Sequence, residues 1–454
     1  MVPPTEADMR TVMMIAFLFP PSFSIGAKRP LRFARRLPEH GWRPLVFTAP
    51  AGTPSERDDT LLDALPPGLR VVRDYAPAWM WAVRNLGDTV DRRLRPHTGP
   101  RFDSGAAAGT AGRLAGFLEH LSERLVPLDS VVAFLPHALA RASRLIAAER
   151  PDAIYVSAYP CSALVLGALL KRRHGVPLVG ELRDPWTMNV HFESRHPAVA
   201  AIERRLERWV FETADRIVVT TDAVREAYQR RYPDLPTGRL RRIYSSYDEG
   251  LAPGAAAPAP GGPFTIVHFG SLYGPRRADA LLRALARLKA ERGLGPGDVR
   301  FLVFGRLDHP GDHAAIRELG MEGDVHVTAR IAYADGMAVL RRADVLYLPA
   351  FGDETLYLPG KMFDYFLAGR PILCETAGSE MKRILARTGT GVCVPRGDEA
   401  GLLANLRRAW DARRGGPPLS VPVPAEIAKF SSPAVTEEFA GLLDEVVGGR
   451  AGAR

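Results

Sequence analysis

The sequence has few cysteines and no apolar run of membrane length, and both absences narrow its class. Its 454 residues include three cysteines, far apart and without a CxxC pair, so neither a disulfide framework nor a zinc knuckle is predicted. The apolar run Val12–Phe19 has strand length, well short of the ~18 residues that span a bilayer. Glu6 and Asp8 precede it, and no small-residue cleavage site follows. We therefore predict a cytoplasmic protein without a signal peptide.

Several nucleotide- and metal-binding motifs are also absent. No GxGxxG follows a strand, which disfavours an NAD or FAD site. Met362 follows Lys361 where a P-loop needs Ser or Thr, so GxxxxGK[ST] is excluded. No Asp-x-Asp pair stands in a suitable loop. We therefore expect no cofactor and no obligatory metal.

The chain is basic, with a net charge of +9, but its arginines are scattered and no aromatic-plus-basic module is visible. A nucleic-acid partner is therefore not predicted. One segment, 28–37, has the pattern of a helix whose start and polar side carry Lys28, Arg29, Arg32, Arg35 and Arg36. Such a helix would attract anionic lipid and place the protein peripherally at the inner face of a membrane. The alternative is an ordinary amphipathic surface helix.

Short apolar runs alternate with amphipathic segments twice along the chain, as in Ala153–Ala158, Ser162–His174 and Leu178–Leu182. This alternation is typical of doubly wound α/β sheets. An uncharged Gly/Pro/Ala-rich stretch at 250–263 is the predicted linker. We therefore predict a Rossmann-like domain over 1–249, a second over 264–430, and a final helix within 431–454. Residues 84–127 form an irregular insertion, either disordered or functional.

The segment 358–373 carries the strongest chemical signal. A Pro-Gly turn at Gly360 leads into a helix, which directs backbone N–H groups outward, and Lys361 adds a positive charge there. This pattern predicts a phosphate site. Asp364, one turn further on, could accept hydrogen bonds from ribose hydroxyls. The alternative is a capped helix packed on a sheet, with Lys361 solvated.

The same segment resembles the donor motif of family 4 glycosyltransferases of the GT-B fold, Pro-x-Lys followed by two apolar residues, Glu-Tyr and a later Arg/Lys-Pro. Residues 19–29 resemble the family's first strand and glycine loop, 181–186 the Leu-Arg-Asp-Pro-Trp of a bacterial subset, and 268–274 the start of its C-terminal domain. The matches occur in order, outside roughly 84–127. The resemblance implies two Rossmann-like domains facing a cleft, with the final helix crossing back to the N-terminal domain.

The resemblance also implies roles for residues of the second half. Gly270 lies in the matched glycine loop, and Arg276 and Arg277 match the cationic pair that holds the donor diphosphate. Arg330 and Ile331 match the region whose backbone reads the nucleobase. Asp364 matches the family's glutamate on ribose.

One position departs from the family pattern. Leu356 stands where a second acidic residue is common, and Glu354 is the expected substitute that contacts the transferred sugar. The alternative is that Glu354 is a solvated loop residue.

In the first half, Gly26 and Arg29 are expected to contact the donor, and Asp184 is expected to serve the acceptor or the reaction itself. Gly26 fits a turn where backbone comes close to a ligand. Arg29 either reaches a phosphate across the cleft or is a surface helix residue. Asp184 follows a strand and either orients the acceptor or acts as a base; in the alternative it braces the turn together with Arg183 and Trp186. His268 is a lone histidine, which is more often structural than catalytic.

These features predict a glycosyltransferase of the hexosyltransferase type, active in carbohydrate biosynthesis. It would move a sugar from a nucleotide-sugar donor to an unidentified acceptor, and the resemblance implies retention at the anomeric carbon. Two alternatives stay open. One is a nucleotide-sugar epimerase of the same fold, and the other is a non-catalytic sugar-nucleotide binding protein, favoured if Leu356 marks lost turnover.

Overall fold

The computed structural model describes residues 9–22, 24–51, 57–82, 128–129, 131–189, 192, 195–251, 261–328, 331, 333–350 and 356–451. Internal contacts divide the chain into two units, Met1–Tyr244 with Ser432–Arg454, and Ser245–Ser431. The division falls just before the predicted linker, of which 252–260 lie outside the described residues. The predicted insertion, 84–127, lies outside them too.

The first unit contains a parallel sheet of seven strands in the order β3-β2-β1-β4-β5-β6-β7. Its strands are β1 (Arg10–Ala16), β2 (Trp42–Phe47), β3 (Arg70–Val72), β4 (Ala153–Ala158), β5 (Leu178–Leu182), β6 (Arg216–Val219) and β7 (Leu240–Arg242). Its helices include α1 (Ile25–Arg36), α2 (Leu135–Glu149), α3 (Ser162–His174), α4 (Pro197–Thr213) and α5 (Asp222–Arg231). Strands β4 and β5 are buried along their whole length, which explains why their sequence is apolar apart from Ser157 and Glu181.

Helix α1 begins at Ile25, earlier than the predicted helical segment 28–37. The Ser24 hydroxyl caps it by accepting from the Gly26 N–H at 3.3 Å. Pro30 lies inside the helix, although proline normally marks a first turn because it has no N–H to donate. Gly26 therefore lies in the first helical turn and not in a separate glycine loop.

The second unit contains a parallel sheet of six strands in the order β10-β9-β8-β11-β12-β13. Its strands are β8 (Phe264–Phe269), β9 (Val299–Phe304), β10 (Val325–Thr328), β11 (Val345–Pro349), β12 (Ile372–Glu375) and β13 (Gly391–Val394). Its helices are α6 (Asp279–Arg292), α7 (Pro310–Glu318), α8 (Tyr333–Arg342), α9 (Lys361–Ala368), α10 (Ser379–Thr388), α11 (Glu399–Arg413) and α12 (Pro424–Ala428). Within this unit the strand order is 3-2-1-4-5-6, which is the Rossmann order. The predicted α/β class with two doubly wound sheets is confirmed.

The last helix, α13 (Ser432–Ala451), packs on the first unit. Phe439 stacks on Phe33 of α1 at a ring distance of 4.3 Å, and Asp444 accepts from the Trp42 indole N–H at 2.9 Å. No described side chain of α1 is fully exposed, and Arg29 and Arg32 are only 5% and 7% exposed. Both predictions for this helix, a lipid-attracting surface and an ordinary amphipathic surface, are therefore wrong for Arg29 and Arg32, because these two side chains are buried by packing. No helix in the described ranges has the length and apolarity to cross a bilayer.

We predict that Phe439→Ala lowers the free energy of unfolding of the first unit by about 3–5 kcal/mol, because the ring is fully buried and its removal leaves a cavity. Glu437→Ala on the exposed side of the same helix is the matched control, and we expect it to change stability by less than about 0.5 kcal/mol. Urea unfolding followed by tryptophan fluorescence measures both. The signal reports mainly on the first unit, because five of the six tryptophans belong to it and only Trp410 belongs to the second. Equal effects of the two substitutions would contradict the docking of α13.

Candidate functional site

The second sheet has its switch point between β8 and β11, where the chain connections leave in opposite directions. In such sheets ligands bind outside the carboxyl ends of the strands at this point. The loop after β8 carries Gly270, and helix α9 beyond β11 begins at Lys361. A Cβ at Gly270 would lie 2.6 Å from the Lys361 ammonium nitrogen, so the structure brings these two predicted residues together.

Two glycines, which have no side chains, make this contact possible. Gly270 has a φ of +127°, a conformation that side chains disfavour, and its N–H donates to the Phe304 carbonyl at 2.9 Å. A Cβ at Gly305 would lie 2.5 Å from the Gly270 carbonyl carbon. The loops after β8 and β9 each carry one of these glycines, so their backbones can touch. Lys361 lies against the Gly270 loop.

Lys361 also contacts a residue that the sequence pattern did not assign to the site. Its Nζ lies 3.0 Å from Nε2 of His268, which is fully buried in β8. The other ring nitrogen, Nδ1, lies 3.0 Å from the carbonyl oxygen of Tyr347 in β11. The alternative in which Lys361 is merely solvated is therefore wrong. The signal available in the sequence was a histidine near the end of an apolar strand, two residues before Gly270.

The start of helix α9 has fewer backbone N–H groups available for a ligand than a Pro-Gly turn suggests. Gly360 is its N-cap with ordinary helical angles, φ −54° and ψ −30°. The N–H of Met362 already donates to Pro359 O at 2.9 Å, and that of Phe363 to Gly360 O at 3.2 Å. Fewer amides are thus available to an anion than predicted, and the positive charge of Lys361 becomes the main feature of this helix start.

The structure separates the two arginines of the predicted pair. The Arg276 guanidinium lies 5.5 Å from the Tyr273 ring centroid, and its charge helps to lower the pKa of His268. Arg277 instead forms an ion pair with Asp279, at 3.0 Å, at the start of α6. Arg276 therefore shares the surroundings of His268 and Lys361, whereas Arg277 pairs with Asp279, a carboxylate that also pairs with Arg283 at 2.9 Å.

Asp364 is held on the buried side of α9, where it is 6% exposed. The Tyr333 hydroxyl donates to its Oδ1 at 2.7 Å. One residue along, the Tyr365 hydroxyl accepts from the Phe269 N–H at 3.0 Å and so ties α9 to the end of β8. Tyr333 is a second residue that sequence reasoning missed. Ile331 is half-buried, whereas Arg330 and Glu354 lie outside the described residues.

In the first unit, Arg29 has a structural environment. Its guanidinium pairs with Glu181 at 2.8 Å and donates to the carbonyls of Tyr244 at 2.6 Å and Ile243 at 3.1 Å. The Tyr155 hydroxyl donates to the other Glu181 oxygen at 2.6 Å. The prediction that Arg29 reaches a phosphate is not supported, because three acceptors enclose its N–H groups inside the unit.

Gly26 also has an internal reason to be glycine. A Cβ there would lie 2.8 Å from both Nη1 of Arg183 and Cδ1 of Leu18. The Arg183 Nε donates to the Ala158 carbonyl at 2.7 Å, so this guanidinium spans the carboxyl ends of β4 and β5 beside the start of α1. The missing side chain therefore makes room for Arg183, a residue that the sequence analysis placed only in a turn.

The turn after β5 separates a bracing residue from an exposed one. Trp186 donates its indole N–H to Glu203 at 3.0 Å, and its backbone N–H donates to the Tyr228 hydroxyl at 2.9 Å. Asp184 is exposed. Within the described ranges, no group of three or more His, Cys, Asp or Glu side chains is placed to hold a metal ion.

Two family models match the chain. The Glycosyltransferase Family 4 model matches residues 105–250, and the model of Glycosyl transferases group 1 matches 263–412. The first match begins inside the segment 84–127, which the sequence motifs left out of the resemblance. No curated protein matches the chain.

Solved structures share the two-sheet architecture. A sucrose-phosphate synthase from Thermosynechococcus elongatus aligns over 97% of this chain and 100% of its own, with a TM-score of 0.64 and 15% identity. Anabaena HepE in complex with UDP-glucose aligns over 96% and 100%, with a TM-score of 0.60 and 15% identity. A UDP-N-acetylglucosamine 2-epimerase aligns over 98% and 97%, with a TM-score of 0.52 and 13% identity. At these identities the likeness establishes the GT-B fold.

We predict that Arg29→Met lowers the free energy of unfolding of the first unit by about 3–5 kcal/mol, because it leaves the Glu181 carboxylate buried without its cation. Lys28→Met, at the half-buried neighbouring position, is the control and should cost much less. Denaturant unfolding followed by tryptophan fluorescence measures both. A variant that keeps its stability but loses nucleotide binding would instead favour the phosphate role.

Proposed function

We propose that this chain transfers a sugar from a nucleotide-sugar donor, because it belongs to the GT-B glycosyltransferases of the family 4 type. The donor binds at the carboxyl ends of β8 and β11 in the second unit. The observation that carries the proposal is the contact of the Lys361 ammonium with the Gly270 loop, beside Arg276 and the start of α9. An ammonium and a guanidinium at one strand edge suit a diphosphate, since charge-assisted hydrogen bonds to phosphate are strong.

The chemistry follows from where charge develops. Breaking the bond between the sugar and the diphosphate leaves an oxocarbenium-like sugar and adds negative charge to the departing phosphate. Cations already held in place stabilise that charge without reorganising, and this lowers the barrier. Lys361 and Arg276 take this part in the proposal. Arg277 contributes less, because Asp279 already pairs with it.

Other residues complete the proposed site. The Asp364 carboxylate, oriented by Tyr333, accepts from the donor's ribose, and Ile331 lies in the segment that reads the nucleobase. Glu354 contacts the transferred sugar, and exposed Asp184 orients the acceptor hydroxyl at the end of β5. Hexosyl transfer with retention belongs to the proposal through the family resemblance.

We expect one nucleotide base to stand out in a thermal-shift screen of UDP-, GDP-, dTDP- and ADP-sugars. Ligand binding to the folded state raises its stability by about 2.7 kcal/mol at a concentration of 100 times Kd, so the matching donor raises Tm. Product analysis with the selected donor then separates the functions. Transfer needs an added acceptor, epimerisation converts the donor alone, and a binding protein shows neither. No stabilisation by any of the donors would contradict the proposal.

We predict that Lys361→Met and Arg276→Met each weaken donor binding roughly tenfold to a hundredfold, as expected for loss of a charged hydrogen bond. Arg277→Met should have a smaller effect, because its partner Asp279 already offsets its charge. Arg300→Met removes the same charge from an exposed position in β9 and is the matched control. Calorimetric titration with the selected donor measures all four. Donor affinity that is unchanged in the Arg276, Arg277 and Lys361 triple variant would refute the site.

A further inference from the structure

The contact between His268 and Lys361 defines the protonation of a buried imidazole. The Tyr347 carbonyl at Nδ1 can only accept a hydrogen bond, and the Lys361 ammonium at Nε2 can only donate one. A single form of the ring satisfies both neighbours. It is the neutral tautomer with the proton on Nδ1 and the lone pair on Nε2.

The surroundings favour this neutral form. Burial, the charge of Lys361 and the charge of Arg276 all lower the pKa of His268 well below its usual value, and they outweigh the backbone contacts with Tyr347 and Ser271 that raise it. Protonation would also turn Nε2 into a donor facing the donor Nζ of Lys361. The ring therefore offers Lys361 an acceptor without bringing a charge of its own.

The position of Lys361 matters because its side chain is long and flexible. An ammonium on a four-carbon stem has many rotamers in water, and binding an anion would have to order it. Here its Nζ contacts both the His268 ring and the Gly270 loop, at the switch point of the sheet. The ammonium is thus in place before any ligand arrives.

We propose that His268 is a positioning residue for the donor diphosphate, acting through its Nε2 lone pair on the Lys361 ammonium. The inference rests on the proposed function, since it assigns the preparation of the same phosphate site. A carboxylate at this place would hold the lysine equally well but would offset its charge. A neutral imidazole orients the cation without offsetting its charge.

Two substitutions at His268 separate its two contacts. The amide of asparagine reaches the place of Nδ1 and can still donate to Tyr347, whereas the amide of glutamine reaches the place of Nε2 and can offer its oxygen to Lys361. With inorganic pyrophosphate as a base-independent probe, we expect His268→Asn to weaken binding roughly tenfold. His268→Gln should recover most of that loss. The reverse order of the two variants would overturn the inference.

A double-mutant cycle shows whether His268 acts through Lys361. In a Lys361→Met background, His268→Asn should cause no further loss of pyrophosphate affinity, because the group it positions is gone. Losses that add would mean that His268 serves only the fold. If Lys361→Met itself leaves pyrophosphate binding unchanged, the proposed function fails; if it weakens binding while His268→Asn does not, only the role of His268 fails.

A measurement on the unmodified protein keeps the inference testable should His268→Asn not fold. Nitrogen-15 NMR of the histidine rings, assigned with His268→Gln, reports the proton on each nitrogen. We expect a protonated Nδ1 and an unprotonated Nε2 at neutral pH. An imidazolium, or the opposite tautomer, would overturn the inference.

Discussion

The second unit depends on how closely a lysine ammonium can approach backbone at the switch point of its sheet. Gly270 and Gly305 lack the side chains that would separate the loops after β8 and β9, so those loops share backbone hydrogen bonds, including Leu272 N–H to Arg306 O at 2.7 Å. Lys361 lies against this surface, and its Nζ also contacts the imidazole of His268. Strand order, two glycines and a buried histidine thus combine to place one positive charge.

The first unit uses a similar sheet differently. Its switch point lies between β1 and β4, and Arg29 of helix α1, which follows β1, is buried with Glu181 and two carbonyls. A buried charge needs such partners, because desolvation is costly. Lys361 is half-buried and is met by an uncharged ring. Arg29 and Lys361 therefore have different environments. Arg29 is enclosed by a carboxylate and two carbonyls, whereas Lys361 contacts an uncharged ring at the proposed phosphate site.

Much of the fold could be predicted because the strands are buried on both faces. Ala153–Ala158 and Leu178–Leu182 are strands with the predicted bounds, since a mostly apolar run leaves little choice of ends. The start of helix α1 was predicted too late, because the helical pattern was taken from residue 28 and not from the cap at Ser24. The association of Gly270 with Lys361 was implied by resemblance, whereas the parts of Arg183, His268 and Tyr333 were not.

By itself, the sequence determined two parallel α/β sheets and the positions of candidate cations near strand ends, because local periodicity records which faces are buried. The tertiary structure alone decided what each cation meets. Arg29 and Glu181 are 152 positions apart, and Lys361 and His268 are 93 apart. No local pattern links such residues, and only their contacts show that Arg29 is enclosed by acceptors while Lys361 lies against the Gly270 loop and the His268 ring.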